Sequence, residues 1–365
     1  MVSIAISFLV MIVAVAISSG FRSEIRSGVS SLSGDVQITS ADLNYIGEDD
    51  PIQASPSFLP ELETWSCVER VVPAVYRAGI VRAGENIHGV LFKGVPGGGD
   101  SLRVSVPSGL AELLDLSAGD RLTGYFIGDR VRMRNFTVGS IYPGVLSADE
   151  NVMLFAGIGD MQRLNGWAAD EVSALEVMLR ESYRRPKDIR GVGESIGSLI
   201  WSSEEDDLVA IASTDKYPQL FSWLDLIDSN VLIILILMTI VAGFNMISGL
   251  LILLFRNIST IGILKSMGMT DRSVSELFLR VSSTLVLKGM LTGNLIAFIL
   301  IFIQGKTHLV GLNPENYFVS FVPVSIPVFG VVAADVLAYL VIMLLLQIPC
   351  LFITRVDPAV TVRTM

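Results

Sequence analysis

The sequence predicts a membrane α-helical protein with four transmembrane helices and a large α+β extracytoplasmic domain inserted between helices 1 and 2. Three observations carry this expectation. Hydrophobic residues make up 51% of the 365 and the mean hydropathy is +0.61, too apolar for an ordinary soluble enzyme. The apolar excess is gathered in four runs, each about 20 residues or longer and so able to cross a hydrocarbon core. Charge is gathered elsewhere: from Phe21 to Asp228, 31 acidic residues stand against 18 basic ones, whereas in the rest of the chain 8 basic residues face 5 acidic. The expected domains are a first span at 1–20, an α+β block at 21–228, and a membrane portion at 229–365.

The first run is Val2 to Gly20. It reads as a span rather than a signal peptide, because no basic region precedes it and Ile17-Ser18-Ser19-Gly20-Phe21 is a poor cleavage site. The other runs are Val231 to Phe255, Phe278 to Ile303 and Val322 to Ile353. Basic residues set the orientation. Arg256, Lys265 and Arg272 follow the second run and Arg355 and Arg363 follow the fourth, which puts these segments in the cytoplasm and the acidic block outside. Arg22 and Arg26, beside the first run, pull against this assignment.

Within the block, Val36-Gln37-Ile38-Thr39, Gly89 to Val95 and Arg132 to Val138 alternate in part, as strands do. Leu110 to Leu114 and Gly159 to Leu164 read as short helices. Asp188 to Ile200 reads as a longer one, with Ile189, Val192, Ile196 and Ile200 on one stripe. Leu220 to Asp228 contains no Gly or Pro, so the second span is expected to begin as a helix ahead of its apolar run.

The residues that would carry chemistry are missing. Gly97-Gly98-Gly99 leads into Asp100 with no Lys-Ser/Thr after it, so it reads as a hairpin turn and not as a nucleotide loop. Gly193-Glu194-Ser195-Ile196-Gly197 spells Gly-x-Ser-x-Gly, but inside the helix expected from Asp188 to Ile200 and not at a strand-to-helix elbow, and there is no zincin motif. His88 and His308 are far apart and lack metal-ligand spacing. Cys67 and Cys350 fall on opposite sides of the expected bilayer. The acidic block argues against nucleic acid, which needs clustered Lys and Arg. The expectation is a chain that is not an enzyme, with no catalytic residues, no metal and no cofactor of its own.

The most specific stretch runs from Phe244 to Val274. A span delivers the chain to the cytoplasm at Arg256, and a short helix is expected over 257–268. Ile258, Ile261, Leu264 and Met267 recur every third residue, giving a narrow apolar stripe, and Gly268 is placed to end the helix. Such a helix is either a stiff lever lying in a partner's cleft or a plain interfacial connector. Asn245-Met246-Ile247-Ser248, followed by Ile261-Gly262-Ile263-Leu264-Lys265-Ser266-Met267-Gly268, resembles the signature of the FtsX-like permease superfamily, and most closely its LolC/LolE lipoprotein-releasing branch. Val72-Pro73 to Gly79 and Gly89 to Val95 resemble a region of that branch's outer domain. Gly139 to Gly144 resembles one of its turns, Leu312 to Tyr317 the loop before its last span, and Asp357-Pro358-Ala359 to Arg363 its tail. Two departures stand out: Thr260 replaces a frequent acidic residue, and the sequence starts almost inside the first run, where the branch is expected to carry a cytoplasmic N-terminal lead that is here either truncated or naturally short.

The resemblance implies an inner-membrane complex of two permease protomers, alike or different, with a separate cytoplasmic ABC ATPase that binds the ATP. The coupling residues would be Ile258, Ile261, Gly262, Leu264, Lys265, Met267 and Gly268. The cargo would be lipoproteins handed to a periplasmic carrier. Each buried acyl CH₂ holds by about 0.8 kcal/mol, so a multi-acylated protein does not leave the bilayer unaided. The alternatives are a MacB-type efflux permease and an FtsX-type regulator of a periplasmic hydrolase. Inside the membrane, Asn245, Lys288 and Asp335 are the polar residues of note. Lys288 and Asp335 lie at similar expected depths on adjacent spans. They are expected to form an ion pair or share a polar pocket, with Gly289 and Gly293 letting those two helices approach; the alternative is that each stands alone, with Lys288 reaching along its helix toward the boundary or one of the two wetted where its helix protrudes.

Overall fold

The computed structural model describes residues 2–43, 45, 51–97, 102–128, 131–142, 152–203, 207–312, 317 and 319–350. Gly98 to Asp100, Pro143 and Gly144, Asn313 to Asn316 and the tail from 351 onward lie outside the described residues, and with them the readings placed there. In chain order the helices are α1 (Val2–Ser33), α2 (Leu59–Glu63), α3 (Ser108–Leu113), α4 (Ile158–Asn165), α5 (Pro186–Ser202), α6 (Ser213–Lys216), α7 (Pro218–Arg256), α8 (Ile258–Ser266), α9 (Asp271–Thr307), α10 (Val328–Leu345) and α11 (Gln347–Cys350). The strands are β1 (Val36–Ser40), β2 (Ile52–Gln53), β3 (Val68–Ala83), β4 (Asn86–Val95), β5 (Arg103–Pro107), β6 (Arg121–Phe126), β7 (Arg132–Tyr142), β8 (Met153–Gly157), β9 (Glu171–Val172), β10 (Ala174–Leu179) and β11 (Leu208–Ala212). Two compact units divide the chain: Met1–Ser23, Trp223–Gly311 and Phe321–Met365 in one, Glu24–Ser222 and Leu312–Ser320 in the other.

The first unit is helical. Among the described residues four helical segments are long and apolar enough to cross a membrane: Val2–Ser33, Pro218–Arg256, Asp271–Thr307 and Val328–Cys350. The first three exceed their apolar runs because local signals set their ends. Pro218 opens α7, as proline favours a first helical turn. The Thr270 hydroxyl caps α9 by accepting from the Ser273 amide. The last span starts later than expected, at Val328 and not Val322, since Pro323 and Pro327 hold the lead-in extended. It breaks after Leu345, whose carbonyl cannot receive an amide hydrogen from Pro349.

Helix contacts in this unit are close where glycine permits. A Cβ on Gly293 would stand 2.4 Å from the Ala5 carbonyl oxygen, and one on Gly289 2.8 Å from Ile4. Those two glycines therefore bring α9 against α1, not against α10 as the sequence suggested. Ser18 donates to Asp228 at 2.7 Å, and Arg22 also pairs with Asp228. That pairing neutralises one of the two cations that opposed the orientation rule.

In the second unit, among the described residues, nine strands form one sheet in the order β11-β1-β10-β3-β4-β8-β5-β7-β6. β6 pairs back to β3, so the strands from β3 to β6 close into a ring. β3 joins the two parts: Val68 to Ala74 pair with β10, and Val75 to Ala83 with β4. Phe92, Phe126 and Phe136 fill the ring, with centroids 5.0 to 6.2 Å apart. Gly79 and Gly124 make room, since a Cβ at either would stand 3.0 Å from the Phe126 ring. The three stretches that alternate lie in β1, β4 and β7, and the three expected helices are α3, α4 and α5. On α5, Ile189, Ile196 and Ile200 are buried.

Candidate functional site: the short helix between two membrane spans

Asn257 is the joint at which α7 ends and α8 begins. Its backbone sits at φ −110°, ψ 20°, its side-chain amide donates to the Leu253 carbonyl at 2.8 Å, and its own carbonyl accepts from the Ile261 amide at 3.0 Å. At the other end Gly268 adopts φ +94°. Its amide bonds to Lys265 and that of Met269 to Leu264, both at 3.0 Å. This is the paired closure for which a left-handed glycine is favoured. Thr270 then caps α9, and Lys265 Nζ meets Asp271 at 2.7 Å. The Lys265 side chain is only 8% exposed, so this cation, expected as a coupling residue, fastens α8 to α9.

α8 has two faces. Ile261 and Gly262 are buried, with Lys265 on the same side. At 3.6 residues per turn the opposite side carries Thr260, Ile263 and Met267. All three are exposed, Met267 at 79% and Ile263 at 44%. The expected stripe is therefore divided: Ile261 faces the protein, Leu264 is half-buried, and Ile258 and Met267 are exposed. Ile263 belongs to the outward face and was missed. Its spacing of four to Met267 is the signal that finds it.

The intramembrane polar residues do not come together. The Asn245 side chain donates to the Ser3 hydroxyl, linking α7 to α1. Asp335 is buried on α10 and accepts from Asn294 of α9 at 2.6 Å. Lys288 lies on the exposed side of α9. The expected Lys288–Asp335 ion pair is thus replaced: the partner of Asp335 is the Asn294 amide, less than two helical turns further along α9. The exposed position of Lys288 suits a cation that reaches toward a polar boundary along its own helix. Among the described residues no three His, Cys, Asp or Glu side chains gather as a metal site.

Residues 198–358 match the family model described as FtsX-like permease C-terminal. The matched segment is similar to the C-terminal domain of that family. It takes in α8 with both its faces, and Asn245, Lys288, Asn294 and Asp335 besides, while covering less than half of the chain. No curated protein matches the sequence. Among solved structures, the chain is similar to the periplasmic region of MacB from Actinobacillus actinomycetemcomitans, at 14% identity over 53% of this chain and 95% of that one, with a TM-score of 0.33. It is also similar to the extracellular domain of the noncanonic ABC-type transporter YknZ from Gram-positive bacteria, at 11% identity over 48% and 98%, with a TM-score of 0.32. Neither likeness is close enough to argue from.

Proposed function

We propose that the chain is the membrane-spanning permease subunit of an ABC transporter that releases lipoproteins from a bacterial inner membrane. In this reading α8 is the coupling helix and seats against a separate cytoplasmic ATPase, which binds the ATP. The unit built on the β-sheet lies outside the membrane, a second permease protomer completes the pore-side assembly, and the cargo passes to a periplasmic carrier.

One observation supports the coupling role above the others. Inside the FtsX-like segment, α8 is a short helix clamped at both ends. It buries Ile261 and Gly262, spends Lys265 on Asp271, and leaves Ile263 and Met267 bare. A helix tied in this way passes a push on its outer face to α9 without bending at the joint, as a plain connector does not. The apolar Ile263–Met267 pair suits a hydrophobic cleft, and with Thr260 beside it no ion pair from that position is needed.

Purification of the native complex from membranes, with identification of its bound subunits and acylated proteins, tests the reading. Recovery of an ABC ATPase together with lipoproteins supports it. Recovery of an ATPase with a cell-wall hydrolase and no lipoprotein would replace lipoprotein release with the regulatory alternative.

A further inference from the structure

A helix of 32 residues leaves its last four carbonyls without intrahelical partners, and at the end of α1 three of these are accounted for in an unusual way. The Ser30 carbonyl takes the Gly34 amide at 2.9 Å, the chain turning there at φ +70°. The carbonyls of Ser31 and Leu32 both accept from one side-chain cation, Lys93 Nζ, each at 3.0 Å. Tyr76 adds its hydroxyl to the Leu32 carbonyl at 3.2 Å. Lys93 comes from β4 and Tyr76 from β3, so the strands themselves supply the cap.

The cation is buried, 2% exposed, and is neutralised by Glu176 of β10 at 2.7 Å. Glu176 also accepts from Tyr76. A positive charge at a helix C-terminus is well placed against the helix dipole, and here it replaces water that cannot reach. Lys216 stands nearby, bonded to Gln37 Oε1 at 2.6 Å and to the Tyr45 hydroxyl at 3.2 Å. Burial pushes Lys93 below and Glu176 above their ordinary values, and each opposes the shift of the other. Immediately after the cap the backbone is seized again. Asp35 donates its amide to Val177 at 2.9 Å and accepts the Leu179 amide on its carboxylate at 2.7 Å.

We propose that Lys93, held in place by Glu176 and Tyr76, is the positioning residue that fastens the C-terminus of α1 to the β-sheet, so that the end of this helix and the sheet move as one piece. The use made of that fastening in driving cargo rests on the permease reading above. The fastening itself does not, and its test needs neither ATPase nor cargo.

The test measures amide hydrogen exchange over residues 29–34 in the full chain in lipid nanodiscs, beside the thermal unfolding midpoint. Lys93→Met should speed exchange there by roughly tenfold or more, the loss expected for hydrogen bonds from a charged donor, and should lower the midpoint. Glu176→Gln leaves Lys93 its two carbonyls and should keep exchange within about threefold of wild type, less than one such bond is worth. The Lys93→Met/Glu176→Met double variant should recover much of the midpoint, because an apolar pair can stand in for a buried ion pair, while exchange at 29–34 stays fast. It also covers the case in which Lys93→Met alone fails to fold. Exchange at 29–34 unchanged in Lys93→Met, or restored together with the midpoint in the double variant, would overturn the proposal. Either result leaves the permease reading standing, since that reading is decided by what co-purifies.

Discussion

Replacing Gly293 by alanine puts one methyl group into the tightest helix-to-helix contact at a glycine among the described residues of the membrane unit. The added Cβ would lie 2.4 Å from the Ala5 carbonyl oxygen, 3.1 Å from Phe8 Cβ and 3.2 Å from the Ala5 carbonyl carbon. Ordinary contact begins at 3.4 Å, so α9 and α1 must separate by about 1 Å, and gaps of that size forfeit a quarter to a half of each dispersion contact they open. The obstacle is mainly backbone, which cannot swing away. Overpacking of this kind costs about 1–3 kcal/mol. Gly249 of α7 supplies the control: nothing lies within 4 Å of its Cβ position, and alanine there should gain about 0.5–1 kcal/mol from helix propensity. Gly289 meets the branched Ile4 side chain at its Cγ2 and Cβ, and Gly243 meets mainly the end of Leu345 at 2.5 Å. The predicted order of stability is Gly249→Ala, Gly243→Ala, Gly289→Ala, Gly293→Ala, with the extremes about 1–3 kcal/mol apart, since the propensity gain is common to all four. Equilibrium unfolding of the full chain in mixed detergent micelles, followed by tryptophan fluorescence, measures it. Equal stability of the Gly293 and Gly249 variants would show that the α1–α9 contact is not the close one described.

Asn294→Leu, which strips Asp335 of its amide partner, should destabilise the membrane unit by about 1–2 kcal/mol, the range of polar contacts between membrane helices. In the same unfolding assay the Asn294→Leu/Asp335→Leu pair should cost less than the sum of its members. Lys216 is held down to about 8 by burial, from an ordinary 10.5. Between those values the unfolded chain binds the proton that the folded one has shed, so the contribution of Lys216 to stability rises with pH from about 8 to about 10.5. Unfolding of wild type against Lys216→Met from pH 7 to 10 should show the difference moving in favour of wild type, and a flat or opposite trend would contradict its burial. Gly268→Ala forces a side chain into φ +94°. It should cost about 1–2 kcal/mol and raise proteolytic cleavage within 257–270, whereas Gly249→Ala should do neither.

The membrane helices were legible because long apolar runs have few other uses, and their true ends are marked by Pro218, by Thr270 and by the pair Pro323 and Pro327. β1 was legible as a strand but not as to its surroundings. Gln37 and Thr39 alternate with Val36 and Ile38 and read as solvent-facing, yet they are 2% and 1% exposed. Lys216 reaches one, and the other donates to the Ser173 carbonyl. Lys93 was hidden for the same reason, since alternation cannot say that the polar side of a sheet is covered by the end of a distant helix. Closure of the ring by β6 on β3 depends on register between segments far apart in the chain, and nothing local announces it. At the candidate site, α8 and its terminator Gly268 could be read directly. Its outward face could not be read from a three-residue repeat, because each step of three falls 60° short of a full turn at 3.6 residues per turn. Ile258 and Met267 therefore end on opposite sides of the helix, and the bare face is marked by Ile263 and Met267. The ion pair expected for Asp335 failed on helix rotation: similar depth put Lys288 within range, but Lys288 lies on the exposed side of α9 and Asn294 is turned toward α10.

The central claim is that the outer face of α8 is where a separate ATPase engages this chain. Met267, 79% exposed at the end of that face, is the position from which to ask. A photo-crosslinking side chain placed at Met267, activated in intact membranes and followed by mass spectrometry of the adduct, reads the contact directly. The account predicts an ABC ATPase as the crosslinked partner, with the same probe at Leu291, which is 65% exposed on the apolar length of α9, giving none. Lipid adducts alone at Met267, with no ATPase, would contradict it and leave α8 as a connector between two spans.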